Sequence, residues 1–284
     1  MPQAGRLSYG ARVSSEEIDE YLSRGPASSS GTGSIAGLVA TLAAVAGFGA
    51  AFGSNRSLAI AAAQVSRPAR YVLGYSVDHR PIVAWLLASG PARRSVLVVG
   101  STAGDERGGI AVTRLLASQP AIPGVRLWLL PDVNPDGATR GTRGNADGVD
   151  LNRNFPFRWR RLGRPGSRFY SGPRPSSEPE SRAIEAFIRR RRPGLAIWLH
   201  QPYGLIDDSQ GPRWAERQLA RAIGLPLERL PDYPGSAIGW DDHLVPASAF
   251  DLELPGQLSR PTVRLVATAI RSLARRFAAD RPAS

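Results

Sequence analysis

Four short apolar runs, each ending in or leading to a polar cluster, constrain this chain more than any other feature. They are residues 95–100 (SVLVVG), 125–130 (VRLWLL), 195–199 (LAIWL) and 249–254 (AFDLEL). Runs of this length, apolar at almost every position, suit strands covered on both faces. Helical patterns alternate with them at 109–118, 177–192 and 260–277. The second places Ala183, Ile184, Phe187 and Ile188 on one face, with Glu178 and Glu180 in its first turn. The third spaces Val263, Val266, Ile270, Leu273 and Phe277 for one buried stripe. Strand–helix alternation predicts an α/β fold, a mixed or mostly parallel central sheet flanked by helices. In such sheets ligands bind beyond the carboxyl ends of the strands.

The amino-terminal part is organised differently. Residues 1–34 form a polar leader of mixed charge that ends in a Ser/Gly-rich stretch, a flexible composition. Residues 35–52 carry no charge, and their one strongly polar residue is Thr41. That length is at the lower limit for a bilayer span. Ala-x-Ala patterns at Ala59–Ala61 and Ala61–Ala63 resemble signal-peptidase sites. The expectation is an apolar signal or membrane anchor over 35–63, with attachment through 35–52, in front of a domain spanning 64–284. That would place the domain in the cell envelope or outside the cell. The competing reading of the same run is a helix buried in a soluble protein.

The formal net charge is +12. All 36 basic residues are arginine, and they are scattered. The dense run Arg189–Arg192 sits at a helix end, where cations are favourable. No zinc knuckle or aromatic-interleaved RNA motif is present, so nucleic acid is not an expected partner. The absence of cysteine excludes disulfides, thiolate nucleophiles and cysteine–zinc sites.

Polar clusters gather at the strand ends. Residues 101–106 (STAGDE) follow the first strand, and Asn134-Pro135-Asp136-Gly137 follows the second. The long segment 140–156 comes next, then His200-Gln201 after the third strand and Glu253 inside the fourth. A carboxylate in an apolar strand is costly to bury without a role. One histidine, carboxylates and arginines at a shared rim suggest hydrolysis of an anionic substrate.

The run Gly148-Val-Asp-Leu-Asn-Arg-Asn-Phe-Pro156 resembles the signature of the M14 metallocarboxypeptidases. Its companions occur in the family's order: Ser76-Val-Asp-His-Arg-Pro-Ile82, with His79 where a turn glycine is expected, then Asn134–Gly137, His200, Tyr233-Pro-Gly-Ser236 and Asp251-Leu-Glu-Leu-Pro255. The resemblance covers about residues 68–278 and is greatest to the compact bacterial branch that acts on peptidoglycan peptides. It implies a single-domain carboxypeptidase-like fold and a zinc-dependent hydrolase that cleaves a C-terminal peptide or amide bond. The implied substrate is a peptide with a free C-terminal carboxylate, such as a peptidoglycan stem peptide. Residue by residue, it implies Glu106 and His200 as zinc ligands and Glu253 as the catalytic acid–base. It further implies that Arg143 stabilises the oxyanion, that Asn152 and Arg153 grip the terminal carboxylate, and that Tyr233 caps the substrate.

One position departs from the pattern. The family's first zinc histidine corresponds to Ala103, whose methyl group donates nothing to a metal. A catalytic zinc normally takes three protein ligands and a water. Three outcomes stay open on sequence alone: a pseudo-peptidase that binds peptide C-termini without cutting them, a substitute ligand such as Asp105 or His243, or weak zinc binding with poor turnover. His79 and His243 also read simply as surface residues, and Arg143 as a loop partner of Asp147 or Asp150.

Overall fold

A computed structural model describes residues 68–209 and 211–280. The leader (1–34) and the apolar segment (35–63) lie outside the described residues. Among the described residues no helix is long and apolar enough to cross a membrane.

Eight strands form one mixed sheet: β1 (Ala69–Tyr75), β2 (Pro81–Leu87), β3 (Arg94–Val99), β4 (Val125–Leu130), β5 (Leu195–His200), β6 (Tyr203–Asp207), β7 (Leu227–Glu228) and β8 (Ala249–Pro255). Their order is β1-β2-β4-β3-β5-β8-β6-β7. The central block β4-β3-β5-β8 is parallel throughout. These are the four strands expected from the apolar runs, because only the middle of the sheet is covered on both faces. The flanks are antiparallel where β2 meets β4 and where β6 meets β8.

Two cores cover the sheet. On one face Val96, Val98, Leu127, Leu129, Ile197, Phe250 and Leu252 pack against α1 (Gly108–Ala117), α4 (Arg213–Ile223) and α6 (Arg260–Ala279). On the other, Leu97, Val99, Trp128, Ala196, Trp198 and Ala249 pack against α3 (Pro179–Arg191), α5 (Ala237–Leu244) and Phe155. The period-two alternation of each strand produces this division. It also assigns His200, Asp251 and Glu253 to the second face, since Phe250, Leu252 and Leu254 take the first.

Helix ends follow local chemistry. Ser259 accepts from the Thr262 N–H at the start of α6, and Pro179 occupies the first turn of α3. The short α2 (Pro135–Arg140) is capped by Asn134, whose side chain accepts from Gly137 N–H. His79 is exposed at φ 59°, the left-handed turn conformation expected at its position.

Candidate active site

The polar clusters meet at the carboxyl ends of β3, β4, β5 and β8. Asn134, fully buried, ties three of the loops together. Its Nδ2 donates to the carbonyls of Thr102 (3.3 Å) and Arg143 (2.9 Å), while its Oδ1 accepts from Gly137 N–H (2.9 Å). Backbone packs directly on backbone here: a Cβ on Gly104 would lie 2.0 Å from the Gly137 carbonyl carbon. Asp136 performs a similar task one layer out. It accepts from Ser76 Oγ (2.8 Å), Asp78 N–H (3.0 Å) and Arg80 (2.6 Å). The Asn-Pro-Asp-Gly motif and the Ser76–Ile82 motif are therefore struts, holding the 101–106 and 140–156 loops in register.

Within that frame Glu106 contacts both Arg143 and His200. Arg143 Nη1 donates to Glu106 Oε1 (2.6 Å) and Arg143 Nε to Asp150 Oδ2 (2.8 Å). His200 Nδ1–H donates to Glu106 Oε2 (3.1 Å), and so does the Gln201 backbone N–H (3.2 Å). Burial alone would raise the Glu106 carboxyl, but Arg143 and His200 outweigh it and hold it at about 2. Burial alone would lower the His200 imidazole, but Asp251, Glu106 and Glu253 outweigh it and hold it at about 9. Arg143, though buried, is kept firmly charged by Asp150 and Glu106. The sequence offered Arg143 either a loop partner or a site role; it has Asp150 as the partner and still reaches Glu106.

The 3-10 turn Leu151–Arg153 supplies the next two residues. Asp150 caps it, accepting from Asn152 N–H (3.0 Å). Asn152 Oδ1 in turn accepts from Ala237 N–H (2.9 Å) at the start of α5. Arg153 is buried to 2% exposure, and its guanidinium lies 4.2 Å from the Tyr233 ring centroid. Its Nη1 donates to the Asn152 carbonyl (2.7 Å), and its Nε has no partner among the described residues. On β8, Glu253 is 6% exposed with Oε2 unpartnered. Burial, and then the Asp251 carboxyl, push Glu253 upward. Register places it beside His200.

Asp150 and Asp251 are the residues that sequence reasoning did not assign to the site. Asp150 lay inside the signature as a possible loop partner. Asp251 carried a signal that could have been used: it stands two residues before Glu253 in an apolar strand and so shares its face.

The donor set does not fit a three-ligand zinc. Ala103 is fully buried and offers a methyl group. Both oxygens of Glu106 are engaged by protein partners. Among the described residues no three His, Cys, Asp or Glu side chains stand together to hold a metal ion. Neither substitute ligand joins Glu106 and His200. Asp105 pairs with Arg168 (3.0 Å), and His243 lies on α5, its ring stacked on Phe157 with centroids 4.2 Å apart.

A mixed eight-stranded sheet with arginines and carboxylates gathered at the carboxyl ends of its parallel strands defines a carboxypeptidase-like α/β protein. The zinc carboxypeptidase family model matches residues 57–206, so the chain belongs to the zinc carboxypeptidase (peptidase M14) family. Murein peptide amidase A of Escherichia coli K12 is 36% identical over 183 residues, 59% of this chain and 74% of that protein. Murein peptide amidase A of Vibrio campbellii is 32% identical over 161 residues, covering 51% and 63% respectively. The crystal structure of the murein-tripeptide amidase from Escherichia coli O157 superposes with a TM-score of 0.63 at 29% identity, covering 79% of this chain and 98% of that one. Carboxypeptidase A of Helicoverpa armigera shares the fold at a TM-score of 0.68, 20% identity, and 76% and 70% coverage.

Proposed function

We propose that this chain is a cell-wall peptide hydrolase, acting on a peptide or amide bond near a free C-terminal carboxylate. The observation that carries this reading is that two functional groups are buried with a free atom each, Arg153 at Nε and Glu253 at Oε2, among the described residues. An arginine fork suits a planar carboxylate. A strand-end carboxyl whose pKa is pushed upward suits proton transfer at a scissile bond. In this reading Arg143 and Arg153 orient the terminal carboxylate and the carbonyl beside it, Asn152 fixes the turn that carries Arg153, and Tyr233 covers the guanidinium. Glu253 takes and returns the proton. The substrate class follows from the murein peptide amidases, which share about a third of the aligned residues. The site of action is then the cell envelope or the extracellular side, reached through the 35–63 signal or anchor.

Zinc activates the attacking water in this family. This chain offers two donors of the family's set, Glu106 and His200, which contact each other. That shortfall at Ala103 supports a second reading, in which the cleft holds a peptide terminus without cutting it. Mass spectrometry of a murein peptide incubated with the full chain and added zinc separates the two. Release of a C-terminal fragment, lost in Glu253→Gln, is the expected result. Binding without release favours the second reading. The absence of both contradicts each.

A further inference from the structure

The end of the sheet opposite the cleft has a chemistry of its own. The parallel strands β3, β4, β5 and β8 present their carboxyl ends to the cleft, so their amino ends mark the far side. Arg94 opens β3 there, and the exposed run Arg189–Arg192 leads into β5. The last turn of α6 reaches the same place. The Asp280 carbonyl accepts from Arg94 Nη2 (2.7 Å), and a Cβ on Gly194 would lie 3.1 Å from Phe277 Cζ. A ladder of cations and rings starts at Arg94. Its guanidinium lies 4.9 Å from the Phe277 centroid, Phe277 stacks on Trp214 with centroids 6.1 Å apart, and the Arg276 guanidinium lies 5.5 Å from Trp214. Arg191 makes a similar contact, 4.6 Å from Trp128 and 6.0 Å from the exposed Tyr71.

Charge is balanced around the cleft and unbalanced at this end. Near the cleft Arg80, Arg143 and Arg168 each pair with a carboxylate. Arg190, Arg191, Arg192 and Arg276 are exposed and join no ion pair among the described residues. The carboxylates beside them are mostly taken: Glu185 faces Arg189 at 3.9 Å and Asp208 pairs with Arg213 at 3.1 Å, which leaves the exposed Asp280. A helix C-terminus favours a cation or two. It does not account for unpaired arginines drawn from two helices and interleaved with aromatic rings. Guanidinium groups pair well with phosphate oxygens, and Trp and Tyr favour the level of lipid headgroups. Strand β1 runs parallel to β3 and β4, because β1–β2 and β2–β4 are both antiparallel, so its first residue, Ala69, lies toward this same end. The chain therefore enters the sheet from the arginine side, soon after the 35–63 segment in sequence. We infer that this face docks on an anionic bilayer surface and so turns the cleft away from the lipid. It goes beyond the hydrolase reading and stands whatever the cleft does.

The absence of native cysteine allows one dye to be placed at a chosen position. Ala279→Cys puts it on this face, at the exposed end of α6, and Gln257→Cys puts it beyond the carboxyl end of β8, on the cleft side. Each labelled full-length chain is mixed with vesicles of phosphatidylcholine and phosphatidylglycerol that carry a nitroxide quencher on the headgroup. Strong quenching at 279 and none at 257 is expected. Vesicles of phosphatidylcholine alone are expected to remove the difference, since the attraction is to anionic lipid. Arg190→Gln, Arg191→Gln, Arg192→Gln and Arg276→Gln combined are expected to bring quenching at 279 down to that at 257. The same change at four exposed arginines elsewhere (Arg164, Arg221, Arg260 and Arg264) is expected to leave it intact. Equal quenching at the two positions with all arginines present, including none at either, overturns the inference and needs no arginine variant to fold. Quenching at 279 that survives in the first variant also overturns it. A stronger response of the 279 dye to soluble polyglutamate, or to unlabelled chain, than to vesicles assigns the face to acidic polymers or to a second copy and overturns it as well.

Discussion

At the residue scale, the proposed function makes Ala103 the position that decides whether a metal is held. Its methyl group is fully buried, and its carbonyl accepts from the N–H of Glu106 (3.0 Å), the carboxylate that His200 contacts. Without a third donor the carboxylate and the imidazolium neutralise one another. Arg143 supplies a second positive charge to Glu106 at 2.6 Å. Ala103→His is expected to raise bound zinc from well below one to near one per chain, measured by elemental analysis of the purified protein. A natural chain that already holds one zinc would show that a donor set other than Glu106 and His200 alone is at work. The departure at Ala103 was legible in the sequence because the surrounding motif fixes its spacing. The internal pairing of the remaining donors was not, since it depends on three loops converging.

At the scale of elements, the site is held by loop-to-loop struts more than by its strands. Asn134 makes three hydrogen bonds that join the 102, 137 and 143 backbones. Asn134→Ala removes a helix cap and leaves two buried carbonyls without that donor. A loss of about 2–4 kcal/mol is expected, read from chemical denaturation. The central strands β3, β4, β5 and β8 were legible because each is a short, mostly apolar run covered on both faces, broken only by isolated polar residues such as Arg126, Asp251 and Glu253. The outer strands were not. Strand β1 leaves Tyr71, Val72 and Tyr75 exposed, and β6 and β7 are short and mixed in character. Helix α5 is not legible as a helix, because its eight residues include Gly239, Asp241, Asp242 and His243, and no amphipathic stripe marks it.

At the scale of the whole molecule, buried ionisable groups set how stability varies with pH. Burial raises Asp241 from its ordinary 3.8 to about 7, although Trp198 Nε1 donates to it at 3.0 Å. Burial likewise raises Glu216, from 4.5 to about 7. Between those values the unfolded chain has released its protons while the folded chain still holds them, so both groups make stability fall as pH rises. His200 adds to the decline. Its folded value, raised from 6.5 to about 9, gives a stabilisation that is complete below 6.5 and lost as pH climbs to 9. Glu106 acts in the opposite window: held at about 2 against an ordinary 4.5, it stabilises above 4.5 and loses that effect as pH falls toward 2. Maximum stability is therefore expected on the acid side of neutrality. Asp241→Asn keeps an acceptor for Trp198 but carries no charge. Its denaturation midpoint is expected to decline less than that of the natural chain between pH 3.8 and 7; superimposable profiles would show that Asp241 does not contribute.

In the proposed function the cleft reads a peptide's C-terminal carboxylate through Arg153. The most direct measurement is the Kd of one murein-type peptide in two forms, free acid and C-terminal amide, for the natural chain and for Arg153→Met. The acid is expected to bind about tenfold or more tightly to the natural chain, with the preference abolished in the variant. Equal affinity for acid and amide in the natural chain would contradict the account.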